Sequence, residues 1–304
     1  MTADAQAVRR GLWLGLVGVA IFSVTLPLTR LAVGTPEAPL MSGVFMALAR
    51  AAGAGGLSVL YLLWVRAPWP ARQDLQPLAV VALGAVFGFP LLTSVAMRHV
   101  EAVHASVMAG LLPLVTAAVA AWLHRQRHRP AFWACALLGS ALVVGYAMLR
   151  SPAPGLSLQA ADVLLMLGMA SAAVAYAWGA RLAGRMPPEQ VICWALLISL
   201  PVSLPGTWLS WPTQAVGAVP WLALGYVSVF SMWLGFFAWY RGLALGGTVR
   251  VSQVQLLQPF MSLLVAVPLL GERLDGLTLV FAAAVLATVL MGRKLASLPE
   301  KASP

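Results

Sequence analysis

Residues 249–275 read VRVSQVQLLQPFMSLLVAVPLLGERLD and show the pattern from which the fold is predicted. No residue between Arg250 and Glu272 is charged, and this run has the length of about 20 residues that an α-helix needs to cross a bilayer. Glycine punctuates helices, so the run ends at Gly271 and passes into a short charged turn. The stretch therefore predicts a transmembrane helix that is followed by a charged turn.

The rest of the chain has the same character. Of its 304 residues, 61% are hydrophobic and 9% are charged, whereas a soluble domain carries about 25% charged residues. The acidic residues fall at the edges of the apolar runs and not near their middles. A bilayer explains this spacing, because a charge at its centre costs about 2.5–3.5 kcal/mol on insertion scales.

Ten apolar segments of spanning length follow one another along the chain. They are residues 11–33, 38–65, 75–97, 102–123, 131–149, 159–181, 189–210, 217–240, 249–270 and 276–293. The uncharged run from Gln190 to Tyr240 is too long for one helix, and Pro205, Gly206 and Pro212 divide it into two. The sequence predicts an all-α membrane protein with ten transmembrane helices.

Lysine and arginine set the orientation, because they concentrate in the cytoplasmic loops of membrane proteins. With the N-terminus inside, the outer loops hold only Arg98, Arg150 and Arg273. The inner loops and tails hold Arg9, Arg10, Arg66, Arg72, Arg125, Arg127, Arg129, Arg181, Arg185, Arg241, Arg250, Arg293, Lys294 and Lys301. This asymmetry predicts a multi-pass protein of the cell (inner) membrane with both termini in the cytoplasm.

The pattern around the ninth segment also occurs around the fourth, which indicates an internal repeat. Ser106 matches Ser252, Pro113 matches Pro259, and Arg127 matches Arg273. The predicted repeats are residues 1–150 and 151–304, with five helices in each.

Five helices is an odd number, so the second repeat must enter the bilayer upside down. The loops agree with this: residues 124–129 are strongly basic, whereas the equivalent residues 271–275 are balanced in charge. Inverted repeats are typical of secondary transporters, which bind substrate near the midplane where the repeats meet. The sequence thus predicts a central cavity between two inverted repeats.

Three motifs in the second half carry a family resemblance. They are FAWYRGLALGGT at residues 237–248, Gln258-Pro259, and LLGERL at residues 269–274. This block resembles the second repeat of the EamA-type drug/metabolite transporters, in which a proline in the ninth helix is followed by a Gly-Glu-Arg turn. In the first half Gln126 stands where that family has glutamate, which favours a structural role for Glu272 over a chemical one.

The resemblance implies a ten-helix basket around a central cavity, which exports amino acids or similar small metabolites by alternating access. Within the family, the Trp- and Phe-rich helices and the Arg-rich inner loops are similar to the YddG-type aromatic amino-acid exporters. The expected partners are a small-molecule substrate and the lipid bilayer, and the expected state is a monomer without cofactor or metal.

Polar side chains of the ninth segment are the first candidates for the cavity. At about 100° per residue, Ser252, Gln255 and Gln258 share one face, and Gln253 points elsewhere. A glutamine in hydrocarbon needs hydrogen-bond partners, so all of them cannot face lipid. They form either a hydrogen-bonding wall for a zwitterion or contacts between helices.

Aromatic side chains within the spans suit an apolar or aromatic substrate through stacking and burial. The candidates for the cavity are Phe87, Tyr176, Trp178, Trp233 and Phe237. The alternative for each ring is packing against lipid or a neighbouring helix.

Two titratable side chains lie within predicted spans. Arg50 is midway along the second segment, with no acid at membrane depth to pair with it. It either binds a substrate carboxylate or snorkels towards the interface. His104 is either a proton-coupling site or a structural histidine.

Four prolines within spans are candidate hinges, because each removes a backbone donor and kinks its helix. They are Pro27, Pro90, Pro113 and Pro259. The alternative is that they only shape the basket.

The sequence also separates functional classes. The net charge of +10 comes from scattered basic residues without a continuous basic face, which excludes nucleic-acid binding. An intramembrane enzyme needs a Ser–His pair, paired acids or metal ligands at depth, and neither these nor the filter of a channel is evident. The spans hold no mid-membrane carboxylate, which favours facilitated transport; a proton-coupled multidrug or metabolite exporter is the alternative.

Overall fold

The computed structural model describes residues 3–112, 115–116, 118–119, 130–150, 159–246 and 251–297, and every regular element in these residues is helical. The α-helices are α1 (Ala3–Ser23), α2 (Thr25–Val33), α3 (Gly43–Trp64), α4 (Arg72–Val81), α5 (Phe89–Ala96), α6 (Ala102–Ala109), α7 (Pro130–Arg150), α8 (Ala160–Leu182), α9 (Pro188–Leu209), α10 (Ala218–Tyr226), α11 (Gly235–Gly246), α12 (Gln258–Leu270) and α13 (Gly276–Ser297). Two π-helical segments, Ala82–Gly88 and Val227–Leu234, and a 3-10 segment, Ser252–Leu257, connect some of them.

Six continuous helices are long and apolar enough to cross a membrane. They are Gln6–Val33, Gly43–Trp64, Arg72–Ala96, Ala160–Leu182, Pro188–Leu209 and Ala218–Gly246. Shorter apolar helices cover Trp133–Tyr146, Val254–Leu270 and Gly276–Thr288. The described helices confirm an all-α, multi-pass membrane protein. The count of ten stays a prediction, since six of the described helices have spanning length and residues 113–114, 117 and 120–123 of the fourth predicted segment lie outside the described residues.

The first spanning helix packs on the last of these six through glycines. Gly11 of α1 faces Gly246 of α11, and Gly15 faces Gly242, so the two helices run antiparallel. A Cβ atom on Gly242 would lie 2.8 Å from the backbone nitrogen of Gly15. Small residues let helix backbones approach closely in a membrane, where van der Waals packing replaces the hydrophobic effect.

The other main helix pairs likewise join residues 3–150 to residues 159–297. Helix α3 packs on α9, the segment from α4 to α5 packs on α8, α6 packs on α12, and α7 packs on α13. The pair α3–α9 is antiparallel, since Gly55 faces Leu200 while Gly206 faces Leu48. The described helices of the two parts of the chain therefore pack on each other in pairs.

Proline creates one of the contacts between the halves. Pro27 in α2 has no N–H, so the carbonyl of Ser23 is left without its usual helical donor. The hydroxyl of Ser262 in α12 donates to that carbonyl over 2.8 Å. The break between α1 and α2 is thus tied to a helix from the other half.

Candidate substrate chamber

The described helices enclose a buried chamber that carries polar and aromatic groups together. Its lining comprises Phe22, Thr25, Leu26, Arg50, Ala85, Phe89, Ala109, Leu112, Met169, Ala172, Tyr176, Ser231, Phe236 and Gln258. The free space measures about 20 Å3, which is room for about one water molecule. The chamber is therefore closed around its side chains in this conformation.

Arg50 is the charged residue of this lining and only 2% of it is exposed. Its Nη2 donates to Ser231 Oγ over 3.5 Å, and Ser231 Oγ is bonded to Thr25 Oγ1 at 2.7 Å. Among the described residues, Nε and Nη1 of Arg50 have no partner. A buried charge without a partner is destabilising by several kcal/mol. These two donors are therefore positioned to bind an anion.

Aromatic rings stand beside this guanidinium in the lining. Phe22 and Phe236 meet edge to face with their centroids 5.2 Å apart, and Tyr176 lies 6.0 Å from Phe236. Trp239 extends the cluster, 6.4 Å from Phe22 and 6.0 Å from Tyr176. The sequence named Tyr176 as a cavity residue, and the structure adds Phe22, Thr25 and Ser231, which carried no separate signal in the sequence.

Gln258 brings a hydrogen-bond acceptor to the chamber. It belongs to the lining, and its Oε1 has no partner among the described residues. Gln255 is 2% exposed and also leaves both amide atoms unbonded within the described part of the chain, but it is not part of the lining. The side chain of Ser252 lies outside the described residues.

The remaining predicted cavity aromatics lie elsewhere. Trp233 and Phe237 pack together at 4.8 Å and against Tyr61, away from the lining. Trp178 stacks under the guanidinium of Arg181 at 5.5 Å. Phe87 lies in the π-helical segment Ala82–Gly88 and is half-buried, but it is not part of the lining.

The candidate hinge prolines all lie at irregular points where they are described. Pro27 follows the break after α1, Pro90 follows the π-helical segment Ala82–Gly88, and Pro259 follows the 3-10 segment of the ninth span. Pro113 lies outside the described residues. The structure thus places three of the four next to a change in helical geometry.

One end of the helical bundle, here called the Glu272 end, is closed by polar contacts. The carboxylate of Glu272 accepts the backbone N–H groups of Ala102 at 2.8 Å and Val103 at 2.7 Å. These are unsatisfied donors at the start of α6, so Glu272 caps a helix of the other half. Burial raises the pKa of Glu272 above the usual glutamate value, although both hydrogen bonds oppose the shift.

Two arginines tie the loops at the same end. Arg30 donates to the carbonyl of Met97 over 2.6 Å, and Arg98 donates to the carbonyl of Met41 over 2.6 Å. A wide vestibule of about 850 Å3 opens beside these contacts, lined by Arg30, Glu101, Glu272, Arg273 and Asp275 among others. The vestibule and the chamber share no lining residue.

The opposite end, here called the Arg185 end, is closed by ion pairs. Arg185 lies 3.1 Å from Asp74, and Arg241 lies 3.1 Å from Glu189. The first pair joins the two halves of the chain, while both members of the second belong to residues 159–297. The chamber is therefore bounded by polar contacts at both ends.

Comparison with known proteins gives a consistent assignment. The EamA-like transporter family matches the chain twice, over residues 9–148 and 159–292. YdeK of Bacillus subtilis, described as an uncharacterized transporter, is 44% identical over 284 residues, which cover 93% of this chain and 96% of YdeK. YddG of Ancylobacter novellus, an aromatic amino acid exporter, is 28% identical over 228 residues, which cover 74% of this chain and 73% of YddG.

A solved structure, titled only as the crystal structure of a protein, has the same fold. It superposes with a TM-score of 0.63 at 23% identity and covers 94% of this chain and 97% of its own.

Proposed function

The chain belongs to the EamA-like transporter family, and from this premise we propose that it exports amino acids with aromatic or other apolar side chains, or similar small metabolites, across the inner membrane. The observation that carries the proposal is Arg50, which lies in an aromatic-lined chamber between the halves and has two donors without a partner among the described residues. The name of the relative YddG supports the same substrate class.

The chemistry of the lining fits a zwitterion. Guanidinium N–H groups match the geometry of a carboxylate and bind it through charge-assisted hydrogen bonds. The Oε1 of Gln258, which has no partner in the described part of the chain, is an acceptor for an ammonium group. The rings of Phe22 and Phe236 offer an apolar surface for the substrate side chain. An amino acid presents these three features together.

The architecture proposed for this activity is ten transmembrane helices in two inverted repeats, residues 1–150 and 151–304, around the chamber. The antiparallel pairing of the first and eighth predicted spans supports it, as does the pairing of the third with the sixth. The π-helical segments support it too, since they occur in the third and eighth predicted spans, which are equivalent positions of the two repeats.

The small size of the chamber supports transport by alternating access. A free space of about 20 Å3 holds no amino acid, so the chamber has to widen before it binds substrate. Substrate enters or leaves only when the contacts at the Glu272 end or at the Arg185 end separate. The prolines beside irregular helical segments supply points at which the helices bend.

The transport is proposed to be facilitative, since the described chamber lining holds no carboxylate that carries a proton through the membrane. The alternative is a proton-coupled exporter of drugs or metabolites, and the buried pair of His104 and Asp162 is the observation that favours it. An imposed pH gradient distinguishes the two. Accumulation of substrate in proteoliposomes driven by the pH gradient alone would establish the proton-coupled alternative.

The proposed orientation has both termini in the cytoplasm, so that the Arg185 end faces inside and the Glu272 end faces outside. Cysteines placed at Gln126 and Arg273 test it together with the inversion of the repeats. An impermeant maleimide applied to intact cells is expected to label Arg273→Cys and not Gln126→Cys. Labelling of both positions from the same side overturns the proposed architecture.

Counterflow in proteoliposomes tests the substrate class. Vesicles are loaded with phenylalanine, tryptophan or leucine, and exchange is measured against the same labelled amino acid. Exchange is expected for the free amino acids and not for their methyl esters, because an ester has no carboxylate for Arg50. Equal exchange of acids and esters, or no exchange of any amino acid, contradicts the proposal.

A further inference from the structure

A buried histidine–aspartate pair lies outside the chamber lining. Nε2 of His104 in α6 is 2.7 Å from Oδ1 of Asp162 in α8, and the two side chains are 10% and 2% exposed. The other carboxylate oxygen of Asp162 accepts the backbone N–H of Gln159 over 3.0 Å and so caps its own helix. The sequence placed Asp162 at the edge of a span, and the fold buries it against the other half of the chain.

The pair is part of a cluster of side chains that joins four helices. The ring of Tyr146 in α7 stacks on the His104 ring, with centroids 5.2 Å apart and planes inclined by 30°. The hydroxyl of Tyr146 is bonded to the hydroxyl of Thr278 in α13 at 3.0 Å. Helices α6 and α7 belong to the first half of the chain, and α8 and α13 belong to the second. The cluster therefore connects the two halves.

The pair lies at the Glu272 end of the bundle. Glu272 binds the N–H groups of Ala102 and Val103, the two residues before His104, and Glu101 precedes them. The charged group that α2 brings to this region is Arg30, which bonds to Met97. Within the described residues, α12 brings no charged side chain to His104. Asp162 is thus the ionisable group in direct hydrogen-bond contact with the imidazole.

We propose that His104 and Asp162 form a proton-binding site that latches the two halves together at the Glu272 end. A proton on the imidazole makes the contact an ion pair in a buried setting, where charge-assisted bonds are strong. When the end opens, the pair separates and water replaces the carboxylate, so the ion pair is lost. By linkage, protons then favour the closed end.

The latch goes beyond the proposed function, because it does not depend on which substrate the chamber binds. The proton enters and leaves through the end that the pair closes, so no proton crosses the membrane. Acidity in the compartment that the Glu272 end faces slows opening at that end, but a pH gradient alone does not drive transport.

A cysteine reporter tests the latch without any transport measurement. Ala161 adjoins Asp162 and is 4% exposed, so Ala161→Cys reacts with an impermeant maleimide only when the end opens. The reporter is placed in a chain with Cys135→Ala and Cys193→Ala, since these are its two native cysteines. The labelling rate of Ala161→Cys at each pH is divided by the labelling rate of Ala38→Cys, which lies at the exposed rim of the vestibule. This ratio removes the pH dependence of the thiol reaction itself.

The normalised rate is expected to fall by about fivefold or more between pH 8 and pH 5.5, a typical magnitude for coupled equilibria. His104→Gln keeps a side chain that bonds to Asp162 but takes up no proton, and it is expected to remove this dependence. His99→Gln is the matched control, because His99 is exposed at the same end. Glu272→Gln is measured in parallel, since burial raises the pKa of Glu272 at the same end, and the dependence is expected to persist in it.

A pH dependence that survives His104→Gln, or that disappears in Glu272→Gln, overturns the latch. If His104→Gln does not fold, Asp162→Asn gives the same comparison, because its amide oxygen still caps the helix. Failure of the counterflow experiment leaves this result unaffected, so the two proposals stand or fall separately.

Discussion

The carboxylate of Glu272 accepts a hydrogen bond from the backbone N–H of Ala102 at 2.8 Å, although the two residues lie 170 positions apart in the chain. Side-chain caps at helix N-termini normally come from the residue just before the helix. Here the preceding residue, Glu101, makes no such bond, and the turn after α12 supplies the cap instead. The Gly-Glu-Arg turn thus connects the two halves of the protein.

Removing this cap is expected to destabilise the protein. Glu272→Ala leaves the N–H groups of Ala102 and Val103 without their acceptor, at a cost of about 0.5–2 kcal/mol for a lost cap. Thermal unfolding in detergent measures the effect as a lower Tm. Arg273→Ala is the control, because Arg273 is exposed in the same turn; an equal loss in both variants contradicts the capping role.

The pKa of Glu272 gives a pH dependence of stability with a defined sign. Burial raises this pKa in the folded protein, so the folded state binds the proton more tightly than the unfolded state does. The contribution to stability is therefore full below the ordinary glutamate pKa and is lost as pH rises through the raised value. The Tm of the native protein relative to Glu272→Gln is expected to rise on acidification from pH 7; a constant difference across pH argues against it.

The glycine contact between α1 and α11 is expected to tolerate no side chain. In Gly242→Ala the new Cβ meets the backbone of Gly15 at 2.8 Å, and overpacking of this kind costs about 1–3 kcal/mol. Gly225→Ala in α10 is the matched control, because nothing lies within 4 Å of its Cβ position. Similar thermal stability of the two variants would show that the helices separate easily.

Replacing Arg50 is expected to raise the stability of the protein and to lower its transport activity. Arg50→Met removes an unpaired buried charge and fills the space with an apolar chain, which is expected to stabilise the fold by about 1–4 kcal/mol. The same change removes the carboxylate donor, worth about 1.5–3 kcal/mol, so counterflow of amino acids is expected to fall by about tenfold or more. Arg72→Met, at the exposed start of α4, serves as the control, and undiminished counterflow in Arg50→Met refutes the assignment.

Two aromatic residues of the same region distinguish the chamber from its surroundings. Phe236 belongs to the chamber lining, whereas Trp233 packs in the cluster with Tyr61 and Phe237. In a counterflow panel of amino acids, Phe236→Ala is expected to shift the substrate preference from small towards bulkier substrate side chains. Trp233→Ala is expected to leave the substrate preference unchanged. The opposite pattern would move the substrate site to the Trp233 cluster.

The pattern of apolar and charged residues is enough to predict the class of protein and the position of most spans. A bilayer requires runs of about 20 apolar residues and charges at their edges, and this constraint is visible along the chain without knowledge of its neighbours in space. For the same reason Arg50 stood out, because a charge in the middle of an apolar run is costly wherever the helix packs. The presence of Gln126 where the first half is expected to have glutamate also favoured a structural role for Glu272.

Only the tertiary structure decided which side chains meet. Ser231 and Thr25, His104 and Asp162, and Glu272 and Ala102 are partners from opposite halves, and no local periodicity encodes such pairs. The five predicted aromatics were equivalent by composition, yet helix rotation brings Tyr176 to the chamber and leaves Trp233 and Phe237 in another cluster. Hydropathy fixes the depth of a residue in the membrane, but the packing of the interlocked helices fixes the direction in which its side chain points.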